Sequence, residues 1–196
     1  MTTHLHSEIH EQPDVITQLM HSQWGQAQHI ARAVRAFKPA FVCIAARGTS
    51  DNAARYAKYL FSTHNRLPVM LAAPSLHTVY DAPPDLSRAW VIGISQSGQA
   101  EDVRSVLETA REQGALTLAI TNYPDSPMAQ TATHHLELGA GKEVSIAATK
   151  TYTAQLAAIA MLATALADNP DDYLTELRRV PTLLRQTLDY NADLRW

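Results

Sequence analysis

Three short apolar runs, each followed by a polar turn and a helical segment, constrain the fold of this 196-residue chain more than any other feature. The runs occupy residues 40–46 (AFVCIAA), 89–95 (AWVIGIS) and 115–121 (ALTLAIT). A continuous apolar run of this length is typical of a strand that is buried on both faces of a sheet. Strands that alternate with helices indicate parallel βαβ units with right-handed crossovers. We therefore predict an α/β fold with three layers (αβα), in which helices cover both faces of a five-stranded parallel sheet in a flavodoxin-like arrangement.

Weaker patterns supply the remaining elements. Further strands are expected at 68–72 and at 134–138, the second of them at an edge of the sheet because its apolar and polar residues alternate. The spacing of apolar residues predicts two helical pieces within 8–34, interrupted near Pro13. The other predicted helices span 52–64, 99–113, 147–167 and 171–194. The predicted organisation is therefore N-terminal helices (1–38), an αβα domain (39–168) and a C-terminal helix (169–196).

Composition and charge argue against several classes of function. The formal net charge is -3 and the isoelectric point is about 6.3, without the basic patch that nucleic-acid binding requires. No apolar stretch approaches about 18 residues and the N-terminus does not resemble a signal peptide, so we expect no membrane segment and a cytoplasmic location. Cys43, the single cysteine, lies in an apolar run and is expected to be buried in a reducing compartment. His4 with His6, and His134 with His135, lack the spacing of a zinc site, so we expect neither a metal nor another cofactor.

Two junctions between a predicted strand and the next helix share an unusual composition. The residues concerned are Gly48, Thr49 and Ser50 in the first loop, and Ser95, Gln96, Ser97 and Gly98 in the second. A helix N-terminus presents unpaired backbone N–H groups, hydroxyl groups add donors, and glycine lets the backbone approach a ligand closely. The combination predicts a phosphate site that needs no lysine. The alternative is that Ser50 and Ser97 only cap helices. A nucleotide site is not expected, because no Gly-x-x-x-x-Gly-Lys-Ser/Thr or Gly-x-Gly-x-x-Gly loop follows the first strand.

The chain resembles the SIS (sugar isomerase) domain family, and within it the first lobe of the isomerase part of glucosamine-6-phosphate synthase and of the related glucosamine-6-phosphate deaminases. Four separated segments carry the resemblance: residues 8–13 (EIHEQP), 47–51 (RGTSD), 94–98 (ISQSG) and 147–151 (AATKT). The resemblance implies that the side chains contacting a phosphosugar are those of Thr49, Ser50, Ser95, Gln96 and Ser97, and that the backbone of Ile146 contacts the sugar. Ala100 and Ala148 stand where the synthase has Thr and Ser, which leaves the exact sugar open.

Three charged residues near these segments have open roles. Lys150 is a candidate for binding a sugar oxygen or a phosphate, and the alternative is that it points to solvent. Arg47 either braces its loop or contacts the phosphate. Aldose–ketose isomerisation and amino-sugar deamination both need a group that moves protons. The catalytic residue is unknown from the sequence; Glu143 is the candidate in this chain, and a solvated loop carboxylate is the alternative.

The resemblance also implies that acid–base groups come chiefly from a second, homologous lobe, which is missing here and to which the helix at 169–196 would lead. We therefore expect the chain to bind a phosphorylated sugar or amino sugar, such as fructose 6-phosphate or glucosamine 6-phosphate, but to turn it over poorly. A homodimer or a larger homo-oligomer is expected. The alternative function is a non-catalytic module that senses phosphosugars or only dimerises.

Overall fold

The computed structural model describes residues 3–190, and its five strands form one entirely parallel sheet. The strands are β1 (Phe41–Ala46), β2 (Val69–Leu71), β3 (Ala89–Ile94), β4 (Leu116–Thr121) and β5 (His134–Glu137). Their order across the sheet is β2-β1-β3-β4-β5, with β2 and β5 at the edges. The predicted flavodoxin-like α/β class is confirmed, and so is the edge position of the fifth strand.

Helices cover both faces of this sheet. They are α1 (His4–Phe37), α2 (Thr49–His64), α3 (Ser75–Thr78), α4 (Glu101–Glu112), α5 (Pro127–Thr131), α6 (Lys150–Leu166), α7 (Pro170–Leu177) and α8 (Val180–Tyr190). Successive strand residues point to opposite faces, so β1 directs Val42 and Ile44 into the core beneath α1, α2 and α6, whereas Cys43 faces α4 and α5. Cys43 is free and buried, as predicted, and its burial raises the pKa of the thiol to about 11.

The N-terminal helix corrects one expectation from the sequence. Instead of two pieces interrupted near Pro13, α1 is a single helix of 34 residues with Pro13 inside it. The proline removes one backbone hydrogen bond, to the carbonyl of Ile9. After the proline, Ile16 and Ile30 are buried in the core that α1 shares with α6, and before it Glu11 pairs with Lys150 of α6, so contacts with α6 on both sides of Pro13 hold the helix continuous.

The predicted C-terminal helix at 171–194 is also corrected. The structure has two helices there, α7 and α8, separated at Arg178 and Arg179. Pro181 cannot donate a hydrogen bond to Leu177, which favours a break here, and proline is well tolerated in the first turn of a new helix. Positions 191–194 of the prediction lie outside the described residues. Within residues 3–190, no helix is both long enough and apolar enough to cross a membrane.

The aromatic pair of Phe61 and Trp90 gives a test of the core. Both side chains are fully buried where α2 packs on β3, and their ring centroids lie 5.3 Å apart. We expect Phe61→Ala to lower the free energy of unfolding by about 3–5 kcal/mol, because it leaves a cavity in a packed core. Tyr59→Ala, a matched change on the same helix at a side chain that is 73% exposed, should change it by no more than about 0.5 kcal/mol. Urea denaturation measures both, and equal losses would contradict the assignment of Phe61 to the core.

Candidate functional site

The strand order reverses between β1 and β3, and a polar cavity at the sheet's carboxyl edge lies at this point. The chain runs from β1 outward to β2 and then returns to β3 on the other side of β1, so the loops that follow β1 and β3 lie side by side. A cavity of about 290 Å³ opens between them and the start of α6. Its lining consists of Arg47, Thr49, Ser50, Ser95, Gln96, Ser97, Ile146, Ala148, Thr151, Tyr152 and Gln155.

Most of the predicted binding residues meet at this cavity. The lining includes Thr49 and Ser50 from the first loop, Ser95, Gln96 and Ser97 from the second, and Ile146. The two predicted glycines shape the loops instead of lining the cavity. Gly48 precedes α2 with φ +55° and Gly98 ends its loop with φ +67°, both in the left-handed region that favours glycine.

The two serines do not act as helix caps. Residue Gly48 occupies the N-cap position of α2 and Ala100 that of α4, and neither helix start has a side-chain cap. Ser50 lies inside the first turn of α2, where its Oγ accepts a hydrogen bond of 3.0 Å from Gln155 Nε2. Ser97 Oγ accepts a 3.3 Å bond from the amide of Gln99, within its own loop. The partial positive charge of the α2 N-terminus is therefore left without a side-chain capping oxygen beside the cavity.

Backbone and side-chain bonds fix the second loop against β4. Ser95 Oγ accepts from the amide of Gly98 at 3.1 Å, and the carbonyl of Gln96 accepts from the amide of Asn122 at 3.0 Å. A Cβ atom at position 98 would lie 2.2 Å from Ser126 Oγ, so a side chain cannot fit there without displacing its neighbours. Close packing thus requires a glycine at position 98 in addition to its positive φ.

Arg47 braces its loop, which is one of the two roles that the sequence left open, and a phosphate contact stays a prediction. Its side chain lines the cavity and also forms an ion pair with Asp102 at the start of α4, so it bridges the two loops. Because Asp102 offsets its charge, the guanidinium group adds little net positive charge to the cavity. Uncharged hydroxyl and amide side chains make up the rest of the polar lining of the cavity.

The segment 143–149 that closes the cavity is held by α1. Glu8 is only 4% exposed and accepts hydrogen bonds from the amide of Val144 at 2.5 Å, from the amide of Ser145 at 3.1 Å and from the Ser145 hydroxyl. The Ser145 hydroxyl bond, followed by the Val144 amide bond, holds the pKa of Glu8 below its ordinary value. Since Ile146 follows directly, the motif at 8–13 positions the loop that carries this predicted sugar contact.

Lys150 does not reach the cavity. Its ammonium group lies 2.6 Å from a carboxylate oxygen of Glu11 on α1, and its side chain is 6% exposed. Both expectations for Lys150 are therefore corrected: it neither lines the cavity nor points to solvent. The physical reason is that α6 packs along α1, which brings Lys150, in the first turn of α6, against the carboxylate of Glu11.

The carboxylate of Glu143, the candidate catalytic residue, accepts hydrogen bonds from the start of α6. Its Oε1 accepts from the amide of Thr149 at 2.7 Å and from the Thr149 hydroxyl at 3.1 Å, and its other oxygen accepts from the Thr151 hydroxyl. Glu143 is half-buried and is not part of the cavity lining. It is thus neither a solvated loop carboxylate nor placed to move a proton in this cavity; it serves as an acidic cap of α6.

Sequence reasoning missed the contribution of α6 to the cavity. Thr151, Tyr152 and Gln155 line it, and their i, i+1 and i+4 spacing places them on one face of the first two turns. That spacing was a usable signal, because it follows directly on the AATKT segment. Among residues 3–190, no group of three or more histidine, cysteine or acidic side chains is placed to hold a metal ion.

The fold and this site define a class of protein. The family model for the SIS domain matches residues 40–165, and the chain belongs to that family. Glutamine–fructose-6-phosphate aminotransferase (isomerizing) from Aquifex aeolicus is 33% identical over 182 residues, which cover 93% of this chain and 30% of the relative. The chain spans about a third of the length of the curated relatives it matches.

Two solved structures are similar over nearly the whole chain. A proposed phosphosugar isomerase from Silicibacter pomeroyi superposes with a TM-score of 0.89 at 35% identity, covering 93% of this chain and 55% of that one. The C-terminal domain of glucosamine-fructose-6-phosphate aminotransferase from Francisella tularensis gives a TM-score of 0.81 at 25% identity, covering 97% of this chain and 57% of that one. This chain therefore resembles one part of each of these proteins.

The bonds of Glu8 predict a pH-dependent contribution to stability. The pKa of Glu8 is lower in the folded state than in the unfolded state, where it is about 4.3. Such a carboxyl group stabilises the fold at any pH above its unfolded pKa. This stabilisation is lost as the pH falls through the folded pKa. We expect Glu8→Gln to lower the thermal midpoint at pH 7, and the gap from the unaltered protein to shrink below about pH 4.3. Thermal denaturation between pH 3 and pH 8 measures the gap, and a gap that does not depend on pH would contradict this role. Glu101→Gln, at a side chain that is 80% exposed, is the control.

The close packing around Gly98 predicts a steric loss of stability on substitution, which can be measured separately from the strain of a positive φ. Gly98 and Gly139 both have positive φ, but a Cβ at position 139 would meet no atom within 4 Å. We expect Gly139→Ala to cost about 1–2 kcal/mol from strain, and Gly98→Ala to cost about 1–3 kcal/mol more from overpacking against Ser126. Equilibrium unfolding of the two variants gives the difference, and equal costs would show that the second loop has room for a side chain.

Proposed function

We propose that the switch-point cavity binds a phosphorylated sugar or amino sugar. The observation that carries the proposal is the pair of loops after β1 and β3, which bring a helix N-terminus without a side-chain cap and five hydroxyl or amide side chains into one cavity. Such a cavity suits a phosphate group together with sugar hydroxyls, because it offers many donors and little net charge. The proposed binding residues are Gly48, Thr49, Ser50, Ser95, Gln96, Ser97, Gly98 and Ile146.

The proposed substrates are fructose 6-phosphate and glucosamine 6-phosphate. Fructose 6-phosphate appears in the name of the relative from Aquifex aeolicus, which is 33% identical to this chain, and glucosamine 6-phosphate is the amino sugar that the resemblance implies. Lys150 is left out of the proposed set, since its charge is already paired with Glu11. Ala148 lines the cavity where the synthase has a serine, so we expect one fewer polar contact to the sugar.

We propose that the domain serves as the substrate-binding lobe of an aldose–ketose isomerase or deaminase in the cytoplasm. The proton-transferring group would come from outside the described cavity lining, because Glu143 is committed to the start of α6. A second lobe beyond the helix region 169–196, or a neighbouring copy in a homo-oligomer, would supply it. Ile146 is fully exposed beside the cavity, which fits a site whose wall another lobe or copy completes.

A sensing role is the second candidate function. The hydrogen bonds that tie the Glu143 carboxylate to the start of α6 favour it, because they leave the cavity without this base. A domain without an available base would bind phosphosugars without converting them. Isomerisation and ammonia-release assays on the purified chain, together with binding measurements, test what both candidates predict, which is binding with little turnover by this chain alone. Robust turnover by this chain alone would refute both the sensing role and the need for an outside base.

Ser97→Asp tests the binding site directly. The change would place a negative charge in the second loop, where the phosphate is proposed to lie, and juxtaposed like charges cost several kcal/mol. We expect the affinity for fructose 6-phosphate and glucosamine 6-phosphate, measured by isothermal titration calorimetry, to fall on the order of 100-fold or more. Ser22→Asp adds the same charge at an exposed position of α1 outside the cavity and should leave the affinity unchanged. Unchanged affinity in the Ser97→Asp protein would sink the proposed site.

A further inference from the structure

A buried amide lies behind the first loop, and the function proposed so far does not use it. Gln155, in the second turn of α6, is 2% exposed and lines the cavity next to Ser50. Its Nε2 donates to Ser50 Oγ at 3.0 Å, whereas its buried Oε1 has no hydrogen-bond partner among the described residues. Buried amide groups normally satisfy both atoms, so the bond to Ser50 is the one described hydrogen bond that orients this buried side chain.

The direction of the bond between Gln155 and Ser50 follows from the hydrogen-bonding capacity of the two groups. An amide nitrogen only donates, so Ser50 Oγ must act as the acceptor in this contact. The single hydroxyl proton of Ser50 is then left over, and no acceptor for it is found among residues 3–190. Ser50 is 8% exposed, and the open space beside it is the cavity. An oxygen of a ligand in that cavity is therefore the partner available to this proton.

We propose that Gln155 is a positioning residue that fixes Ser50 as a hydrogen-bond donor towards the ligand. The inference rests on the proposed function, since it assigns a role at the same cavity. Because Ser50 Oγ already accepts a hydrogen bond from Gln155, the Ser50 hydroxyl can only donate to the ligand. Ser50 then recognises ligand atoms that accept hydrogen bonds, such as a phosphate or carbonyl oxygen. A serine without this partner would be free to turn its proton towards the backbone carbonyls of its own helix turn.

Two substitutions at position 155 test this role. Gln155→Met keeps a side chain of similar length and removes the donor, so Ser50 loses its fixed orientation. We expect the affinity for fructose 6-phosphate to fall about 5- to 10-fold, the effect of about one neutral hydrogen bond. Gln155→Glu places an acceptor beside Ser50, which captures the serine proton and adds a negative charge. We expect a larger fall, on the order of 100-fold.

A double-mutant cycle with Ser50→Ala separates positioning from a purely structural effect. Once Ser50 is absent, Gln155→Met should cause no further loss of affinity, whereas independent structural effects would add. Calorimetry gives the four affinities, and thermal denaturation of the same proteins confirms that they are folded. Gln130→Glu adds a carboxylate at an exposed position outside the cavity and should bind as the unaltered chain does.

The possible outcomes are distinct. If the unaltered chain binds neither fructose 6-phosphate nor glucosamine 6-phosphate, the proposed function fails and this inference fails with it. If the unaltered chain binds but Gln155→Met binds equally well, or its effect adds to that of Ser50→Ala, only the role of Gln155 is overturned. If Gln155→Met does not fold, Gln155→Glu decides, and undiminished affinity in that variant overturns the role.

Discussion

The in-register pairing of β1 with β3 is the constraint on which the site depends. Phe41 lies opposite Ala89 and Ala46 opposite Ile94, so the two strands begin and end at the same level. The chain therefore leaves both strands at the same height, and the two hydroxyl-rich loops must lie side by side. Because the strand order reverses at this pair, no crossover helix covers the gap between the loops. The cavity follows from sheet topology before any particular side chain is considered.

Acidic side chains then hold the third wall of the cavity in place. Glu8 binds the amides of Val144 and Ser145, and Glu143 binds the start of α6 through Thr149 and Thr151. Each carboxylate satisfies backbone N–H groups that a loop or a helix start would otherwise leave unpaired. Arg47, the cationic side chain of the described lining, is paired with Asp102, so the proposed binding of a phosphate would depend on fixed donors and dipoles. The N-terminal helix thus takes part in building the site, although it contributes no residue to the cavity lining.

The patterns in the sequence were sufficient for the strands and the two loops but not for the charged residues. Apolar runs such as 89–95 and the polar residues directly after them are local features, and a parallel sheet brings such loops to one edge. The sequence did not reveal the partner of Lys150, because Glu11 lies 139 residues away along the chain. It did not reveal the partners of Glu143 either, because Thr149 and Thr151 reach this carboxylate only once the turn before α6 has formed. Pro13 was misjudged for a related reason, since packing against α6 outweighs the loss of one helical hydrogen bond.

The sequence by itself determined the α/β class, the family and the identity of the two loops, because periodicity, glycine positions and hydroxyl-rich turns act over a few residues. Only the tertiary structure decided that Glu8 holds the segment before Ile146 and that Glu11 pairs with Lys150. It also decided that Glu143 caps α6 and that Gln155 lies against Ser50. These contacts join residues from different helices and loops. Their energies depend on which groups folding buries together, and no local pattern records that arrangement.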